Sequence, residues 1–178
     1  LMWVTDANLY LERDFGIRME VITDNDKIIY LDSGDDPFSD DLNAETQTTI
    51  DAEIGTDNYD IGHLMNYDAG NNAGNAGDIG TICNPFTKGS GYTTRSNWDN
   101  FDGYAAIMFT HELGHQSGAN HTFTHDKDND IAQMEPGSGS TIMSYGGNGK
   151  ASSEFVIELR SKYFHAISIQ QVRSYLAT

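Results

Sequence analysis

The sequence predicts one α/β domain of the α+β type, and three observations support this fold class. The chain has 178 residues, which is the size of a single domain, and neither a linker nor an internal repeat divides it. Strand-like and helical segments fill the first half, a long helical pattern covers residues 102–117, and a loop-rich region follows. Because 38% of the residues are hydrophobic, the chain can bury a core and is not expected to be disordered.

The first part of the chain is predicted to form a helix followed by two short strands. In "VTDANLYLERDFG", apolar residues recur at helical spacing and Gly16 is a suitable end for the helix. The apolar segments "IRMEVI" and "KIIYL", residues 17–22 and 27–31, are predicted to be strands on either side of the turn "TDND".

Helices and strands are predicted to follow one another after residue 43. The segment "AETQTTIDAEIG" predicts a helix that ends at Gly55, and residues 59–67, 78–83 and 91–95 predict strands. The stretch at 69–77 is rich in glycine and asparagine and is expected to be a loop. An amphipathic helix, "ISIQQVRSYL", should close the chain.

The charge of the chain limits its partners. The net charge is −17, from 27 acidic and 10 basic residues, and it repels nucleic acid and anionic membranes, so neither is an expected partner. There is also no run of 18 apolar residues, and the sequence predicts no membrane span. The acidic segments "DSGDDPFSDD" and "DKDND" are interpreted as solvated loops, with calcium (Ca²⁺) binding as the less favoured alternative. The second segment lacks the glycine and the closing glutamate of an EF-hand.

Half of the six histidines lie in one short stretch, "HELGHQSGANH". On a helix, His111 and His115 lie on one face one turn apart, so both can reach one ion. Glu112 sits beside them, placed to act on a metal-bound water, and Gly118 allows the chain to reverse and bring His121 to the same ion. Three nitrogen ligands with the fourth position left to water are typical of a catalytic zinc (Zn²⁺) site.

The remaining candidate residues are predicted to be structural. The single cysteine, Cys83, cannot form an internal disulfide, and its apolar run "IGTIC" favours a buried, unreactive thiol over a reactive one. His63 and His165 have apolar neighbours and are expected to be satisfied structural histidines.

The motif "HELGHQSGANH" resembles the extended zinc signature of the metzincin metalloproteases. A second segment, "STIMSYGG", resembles the metzincin Met-turn, with Met143 as the methionine beneath the metal. Within that clan the chain is most similar to bacterial relatives of the adamalysins (reprolysins), through "YDIGH", "HTF" and "EPGSGSTIMSY". It departs from the animal adamalysins in having one cysteine and in having Thr122 where aspartate usually follows the third histidine.

The resemblance implies a metzincin-type catalytic domain that spans residues 1–178. It implies an upper subdomain of about 1–118, built on a twisted mixed sheet with an antiparallel edge strand and the active-site helix. A loop-rich lower subdomain of about 119–178 would be closed by a helix. The edge strand is expected within "GDIGTIC", where Gly80, Thr81 and Ile82 would pair with an extended substrate. The loop "SYGGNGK" would wall the specificity pocket.

The resemblance also implies a zinc-dependent endopeptidase. His111, His115 and His121 would ligate zinc, and Glu112 would act as general base on the zinc-bound water. Met143 is expected to be a hydrophobic floor rather than a ligand. Tyr145 could stabilise the oxyanion or could be a packed aromatic that supports the turn, and the two interpretations have equal weight.

Two other functions remain open at the level of the sequence. One is a catalytically inactive zinc-containing peptide-binding module, which the intact Glu112 disfavours. The other is a zinc amidase that acts on non-protein substrates. The predicted enzyme is a secreted, extracellular monomer that acts on protein or peptide substrates.

Overall fold

The structure, a computed structural model, describes residues 1–68, 73–96, 103–125, 131–146 and 160–178. These residues contain four α-helices and three β-strands. The helices are α1 (Met2–Phe15), α2 (Leu42–Glu53), α3 (Gly103–Gln116) and α4 (Ala166–Leu176). The strands are β1 (His63–Tyr67), β2 (Ala73–Asn75) and β3 (Gly91–Arg95). The acidic segment at 126–130 and residues 147–150 of the expected pocket loop lie outside the described residues.

The three strands form a mixed sheet in the order β1–β3–β2. β1 and β3 are parallel, with His63 opposite Gly91, whereas β2 is antiparallel to β3, with Ala73 opposite Thr94. Among the described strands β2 pairs with β3 alone, so it forms an edge of the sheet. The predicted fold class is therefore confirmed, including its antiparallel edge strand. The division into subdomains near residue 118 stays a prediction.

Helix α3 lies at the centre of the hydrophobic core. Its residues from Ala105 onward are buried, and Phe109 and Leu113 pack with Leu11 of α1 and Val172 of α4. Removal of one such buried side chain typically costs about 2–5 kcal/mol. Because the core holds α3 from several sides, the polar side chains on this helix have little freedom to shift.

The four predicted helices are all present, with boundaries within a few residues of those expected. Helix α1 ends at Gly16, whose left-handed φ of 72° lets its N–H bond to Glu12 O. Helix α2 begins at Leu42 and is capped by Asp41, whose Oδ1 accepts a hydrogen bond from Ala44 N at 3.2 Å. The predicted end of α1 at Gly16 is therefore confirmed, whereas the cap at Asp41 lies before the predicted start of α2 at Ala44.

The prediction of strands at 17–22 and 27–31 is wrong, because the first segment is bound to α1 instead of to another strand. Asn8 Nδ2 donates to Met19 O, and Met19 N donates to Asn8 Oδ1, both at 2.8 Å. The second segment begins within a turn of 3₁₀-helix, Asn25–Ile28, and its residues 29–31 belong to no strand. A side-chain amide thus satisfies the backbone groups that a strand neighbour would otherwise satisfy.

The position expected for the edge strand is also wrong. Residues 77–83 form turns, and the edge strand β2 lies within the stretch predicted to be a loop. The backbone N–H of Gly80 binds His115 O at 2.9 Å, and those of Thr81 and Ile82 bind Gln116 O at 2.8 and 3.0 Å. These groups satisfy carbonyls at the end of α3, which the helix itself leaves free.

Cys83 is exposed, contrary to the predicted buried thiol. Its backbone has a φ of 63°, in the left-handed region, and its N–H binds Asp60 O at 2.8 Å. Thr81 and Ile82 are buried, but the turn at Cys83 directs the side chain of Cys83 itself into solvent. Apolar neighbours in sequence were therefore a poor guide to burial at this position.

Candidate metal centre

The three histidines of the motif converge on one point. His111 and His115 lie one turn apart on α3, and their Nε2 atoms are 3.2 Å apart. His121 Nε2 lies 3.1 Å from His111 Nε2 and 3.0 Å from His115 Nε2. Within the part of the chain that the structure describes, these three residues form the one group of three or more His, Cys, Asp or Glu side chains whose ligand atoms converge closely enough to hold a metal ion.

Gly118 allows the third histidine to return to the helix. Its φ is 106°, which L side chains rarely adopt, and its N–H binds His115 O at 2.9 Å. A Cβ at this position would also lie 2.9 Å from Tyr175 Cβ. Both the backbone angle and the close approach of α4 therefore require glycine, as the motif predicts.

Hydrogen bonds to carbonyl oxygens orient the two histidines of α3. Nδ1 of His111 donates to Ile142 O at 2.6 Å, and Nδ1 of His115 donates to Ala119 O at 2.7 Å. With Nδ1 protonated in a neutral ring, Nε2 carries a lone pair. Burial, and then repulsion from His115 and Arg160, holds the pKa of His111 well below its usual value. His111 is therefore in the neutral form that binds metals.

The geometry and chemistry of the three donors fit zinc. Zinc–nitrogen bonds are about 2.0–2.1 Å long, so one ion can reach three nitrogens that are 3.0–3.2 Å apart. Lone pairs that point at one another at this distance repel, and a cation between them removes the repulsion. Neutral imidazole ligands with Nδ1 held by carbonyls are the usual donors for this ion.

Glu112 lies beside this centre, between α3 and the edge strand. Its side chain is buried, and burial raises its pKa to about 8, although the positive charge of Arg160 opposes the shift. The side chain packs against Gly74 of β2, where a Cβ would come within 2.6 Å of Glu112 Cγ and Cδ. The carboxyl group of Glu112, the residue that directly follows His111, is thus confined against β2, which is an edge strand among the described strands.

The turn around Met143 packs against the two segments that carry the three histidines. Met143 is fully buried, and a Cβ on Gly114 of α3 would lie 2.5 Å from its Sδ. The carbonyl oxygen of Met143 accepts a hydrogen bond from Thr122 N at 3.1 Å. The turn therefore contacts both α3 and the segment that carries His121.

Tyr145 reaches the same centre. Its ring centroid lies 4.7 Å from that of His121 and 6.1 Å from that of His111, and it stacks on Phe123 at 4.4 Å. These contacts place the hydroxyl-bearing ring of Tyr145 beside two of the three candidate ligand rings. They agree with both interpretations of Tyr145, as a packed support and as a group near the reaction.

The residues expected to bind substrate, Gly80, Thr81 and Ile82, are bound to the end of α3 and belong to none of the described strands. Their N–H groups bind the end of α3, as described above, and the side chains of Thr81 and Ile82 are buried. Since an extended peptide needs free backbone groups for pairing, the reason for assigning these residues to substrate is lost.

Sequence reasoning missed three residues of the site, which are Gly74, Glu135 and Arg160. Arg160 is buried, and its Nη1 lies 3.3 Å from Ile142 O and 3.2 Å from His111 Nδ1. No local motif marks Gly74 or Arg160. Glu135 begins the segment "EPGSGSTIMSY", whose resemblance to adamalysins was a usable signal for its position, although not for its contacts.

The two histidines predicted to be structural have the expected contacts. Nδ1 of His63 donates to Gln116 Oε1, and Nε2 accepts from Thr93 Oγ1, both at 2.8 Å. Nδ1 of His165 accepts from Ile167 N at 3.2 Å and so caps α4. His63 therefore connects β1 and β3 to the end of α3.

Acid should weaken the fold through His63, because burial lowers the pKa of this residue to about 4. The unfolded chain, with a pKa near 6.5, then binds more protons than the folded protein between these two values. Stability therefore falls as the pH drops from about 6.5 to 4, by about 2 kcal/mol between pH 7 and pH 5. Urea unfolding measures the free energy of unfolding at the two pH values. Between pH 7 and pH 5 this free energy should fall less in His63→Gln than in the parent. Equal losses in the two proteins would refute this assignment.

In the described residues no helix is long and apolar enough to cross a membrane. Comparison with curated proteins gave no match. The sequence model of the metallo-peptidase family M12B, Reprolysin-like, matches residues 1–176, and the three converging histidines agree with a metalloprotease site of that family. The chain therefore belongs to the reprolysin-like M12B metallopeptidases.

Proposed function

We propose that the protein is a zinc-dependent endopeptidase that cleaves internal bonds of extended polypeptides. The observation that carries this proposal is the convergence of three Nε2 atoms within 3.2 Å of one another, with Glu112 buried beside them. Membership in a metallopeptidase family supports protein or peptide substrates. The acidic net charge of −17 is consistent with a secreted monomer, which we include in the proposal.

Glu112 is the residue that would move protons in the reaction. A zinc ion held by the three histidines would act as a Lewis acid toward the peptide carbonyl and make an attacking water more acidic. The positive charge of a bound zinc ion would lower the pKa of Glu112 and favour its carboxylate form. This carboxylate would accept the proton of that water and deliver it to the departing amine. Its confinement between α3 and Gly74 favours this role, because the side chain that directly follows His111 is held in one place before substrate binds.

The substrate would add to the sheet at β2. This strand pairs with β3 on one side and with no described strand on the other, and antiparallel pairing gives backbone hydrogen bonds that do not depend on the side chains of the substrate. Because Gly74 of β2 touches Glu112, a peptide paired here would run past the carboxyl group. This assignment replaces Gly80, Thr81 and Ile82 as the proposed substrate contacts.

Gly74→Ala should reduce activity strongly while leaving zinc bound. The new Cβ would overlap the side chain of Glu112, which must move, and displacement of a reacting group by about 1 Å can cost about 100-fold in rate. We expect kcat/KM to fall at least 10-fold, with one zinc per chain retained. Gly34→Ala, the same change at an exposed glycine outside the sheet, is the control and should keep the activity of the parent. Full activity in Gly74→Ala would show that Glu112 does not depend on this contact.

Tyr145→Phe separates the two roles of the tyrosine. The variant keeps the ring that packs on His121 and Phe123 but removes the hydroxyl group. If the hydroxyl stabilises developing negative charge, kcat should fall about 10-fold or more with little change in stability. Unchanged kcat would leave Tyr145 as a structural support.

Mass-spectrometric mapping of products from a diverse mixture of long peptides tests the proposed function. The zinc-loaded parent should produce new internal termini, and Glu112→Ala should not. A folded, zinc-bound parent that produces no new termini would contradict an endopeptidase. Retained binding of those peptides would then favour the peptide-binding module, and hydrolysis of small non-peptide amides would favour the amidase.

A further inference from the structure

The third metal ligand lies on an irregular segment, in contrast to the two that lie on α3. Residues 117–125 form neither a helix nor a named strand, so the position of His121 depends on what holds its neighbours. The next residue, Thr122, is fully buried. Its N–H binds Met143 O at 3.1 Å, and its carbonyl accepts from Met134 N and Glu135 N at 2.9 and 2.8 Å.

The side chain of Thr122 donates to the carboxylate of Glu135. Glu135 is 6% exposed, and the same carboxylate oxygen accepts from Thr141 Oγ1 at 2.6 Å. Its other oxygen accepts from Ser140 N at 2.8 Å, from Thr141 N at 3.0 Å and from Ser140 Oγ at 3.0 Å. One buried carboxylate therefore accepts five hydrogen bonds, three from side chains and two from the backbone.

These bonds connect Glu135 to two of the three ligands. On one side Thr122 directly follows His121 in the chain. On the other side Ser140 and Thr141 directly precede Ile142, whose carbonyl oxygen accepts the hydrogen bond from His111 Nδ1. The carboxylate thus fixes the segment that presents one ligand and the carbonyl that orients another.

We propose that Glu135 is a positioning residue of the metal centre, which holds His121 and the carbonyl that orients His111 in the arrangement that binds zinc. This inference rests on the proposed zinc site. Burial alone would raise the pKa of Glu135, but the hydrogen bonds from Thr122, Thr141 and Ser140 outweigh it and lower the pKa. The residue therefore stays an acceptor at neutral pH, which suits five donors that all point at it.

The chemistry of the donors makes the carboxylate hard to replace. In Glu135→Gln, an NH₂ group replaces one of the two carboxylate oxygens. That donor group would face either the two hydroxyl donors at one oxygen or the two backbone N–H donors at the other. Backbone N–H groups cannot reverse, so Thr122 and Thr141 would have to rotate and lose their present bonds. Mutation of residues that hold metal ligands in place typically weakens metal affinity about 10–100-fold.

The test compares zinc affinity with stability in Glu135→Gln and Thr122→Val. The zinc dissociation constant would be measured by competition with a chromophoric chelator, on metal-free protein shown to be folded by circular dichroism. We expect it to rise about 10-fold or more in Glu135→Gln, and about threefold or more in Thr122→Val, which removes one donor. The visible spectrum of the cobalt(II)-substituted protein should change in Glu135→Gln, because it reports on the geometry of the ligands.

Asp51→Asn is the matched control. Asp51 also accepts three side-chain hydrogen bonds, from Gln47 Nε2 at 2.8 Å, Tyr59 OH at 2.8 Å and Thr56 Oγ1 at 2.9 Å. Its partner Tyr59 belongs to a hydrophobic cluster with Ile50 and Ile54 that is separate from the core around α3. This variant should lose stability in urea and keep the zinc affinity and cobalt spectrum of the parent. If the role of Glu135 were merely structural, Glu135→Gln would also lose stability and keep the zinc affinity and cobalt spectrum of the parent.

The inference is overturned if Glu135→Gln binds zinc as tightly as the parent, with the same cobalt spectrum. Should Glu135→Gln fail to fold, Thr122→Val decides in the same way, since it leaves four of the five bonds to the carboxylate in place. Failure of the parent itself to bind zinc would instead overturn the proposed function together with this inference, so the two failures can be told apart.

Discussion

Replacement of His115 by alanine should abolish zinc binding and peptidase activity together. This residue supplies one of three converging Nε2 atoms, and its ring is held by Ala119 O. Zinc sites in proteins have apparent binding free energies on the order of 10 kcal/mol, so loss of one ligand in three should weaken binding more than about 100-fold. Metal analysis after dialysis should find about one zinc per chain in the parent and almost none in the variant.

His165→Ser is the control for that experiment. It removes a histidine of the same chain but leaves a side-chain oxygen to cap α4, where His165 now accepts from Ile167 N. This variant should retain the zinc content and activity of the parent. Stoichiometric zinc in His115→Ala would mean that the metal binds elsewhere, and the assigned site would be wrong.

Glu112→Gln should remove catalysis while sparing the metal. The amide has nearly the size of the carboxyl group and fits the space beside Gly74, but it cannot accept a proton at neutral pH. General acid–base catalysis typically contributes about 10²–10⁴-fold to the rate, so kcat should fall by that factor with KM and zinc content little changed. Single-turnover rates on a peptide found in the product mapping would measure the loss.

Stability provides an independent check on this variant. Burial disfavours the charged form of Glu112 and raises its pKa to about 8, whereas glutamine has no charge that burial penalises. The metal-free variant should therefore be at least as stable as the metal-free parent. If Glu112→Gln cleaves peptides at the rate of the parent, another group must act as the base.

The metal ligands could be predicted from the sequence because their spacing depends on local geometry. The distance between His111 and His115 follows from one turn of helix, and the return of His121 follows from the left-handed backbone of Gly118. The four helices were predictable for a similar reason, since their apolar periodicity and their end residues lie within the same segments.

Features that depend on distant contacts were not predictable in this way. Residues 17–22 have a strand pattern, but the side chain of Asn8 satisfies the backbone of Met19. The segment that contains Gly80 has an apolar strand-like pattern, yet its N–H groups bind the end of α3. In both cases a partner remote in sequence decided the structure, and no local pattern indicates that partner.

The supporting residues of the site show the same limit. Arg160 follows His111 by many residues and approaches it only in the folded chain. Glu135 could be located through its motif, but its five hydrogen bonds depend on how the segment around Thr122 meets the turn before Met143. The sequence therefore indicated the groups that we propose perform the chemistry, and it missed those that hold them in place.

The most direct test of the central claim is an anomalous difference map at the zinc absorption edge, from crystals of zinc-loaded protein. The claim is that His111, His115 and His121 hold one zinc ion through their Nε2 atoms. The map should then contain one strong peak per chain, about 2.0–2.1 Å from each of the three nitrogens, and it should disappear after soaking with a chelator. A map without a peak at this point, or with its strongest peak at other side chains, would contradict the account.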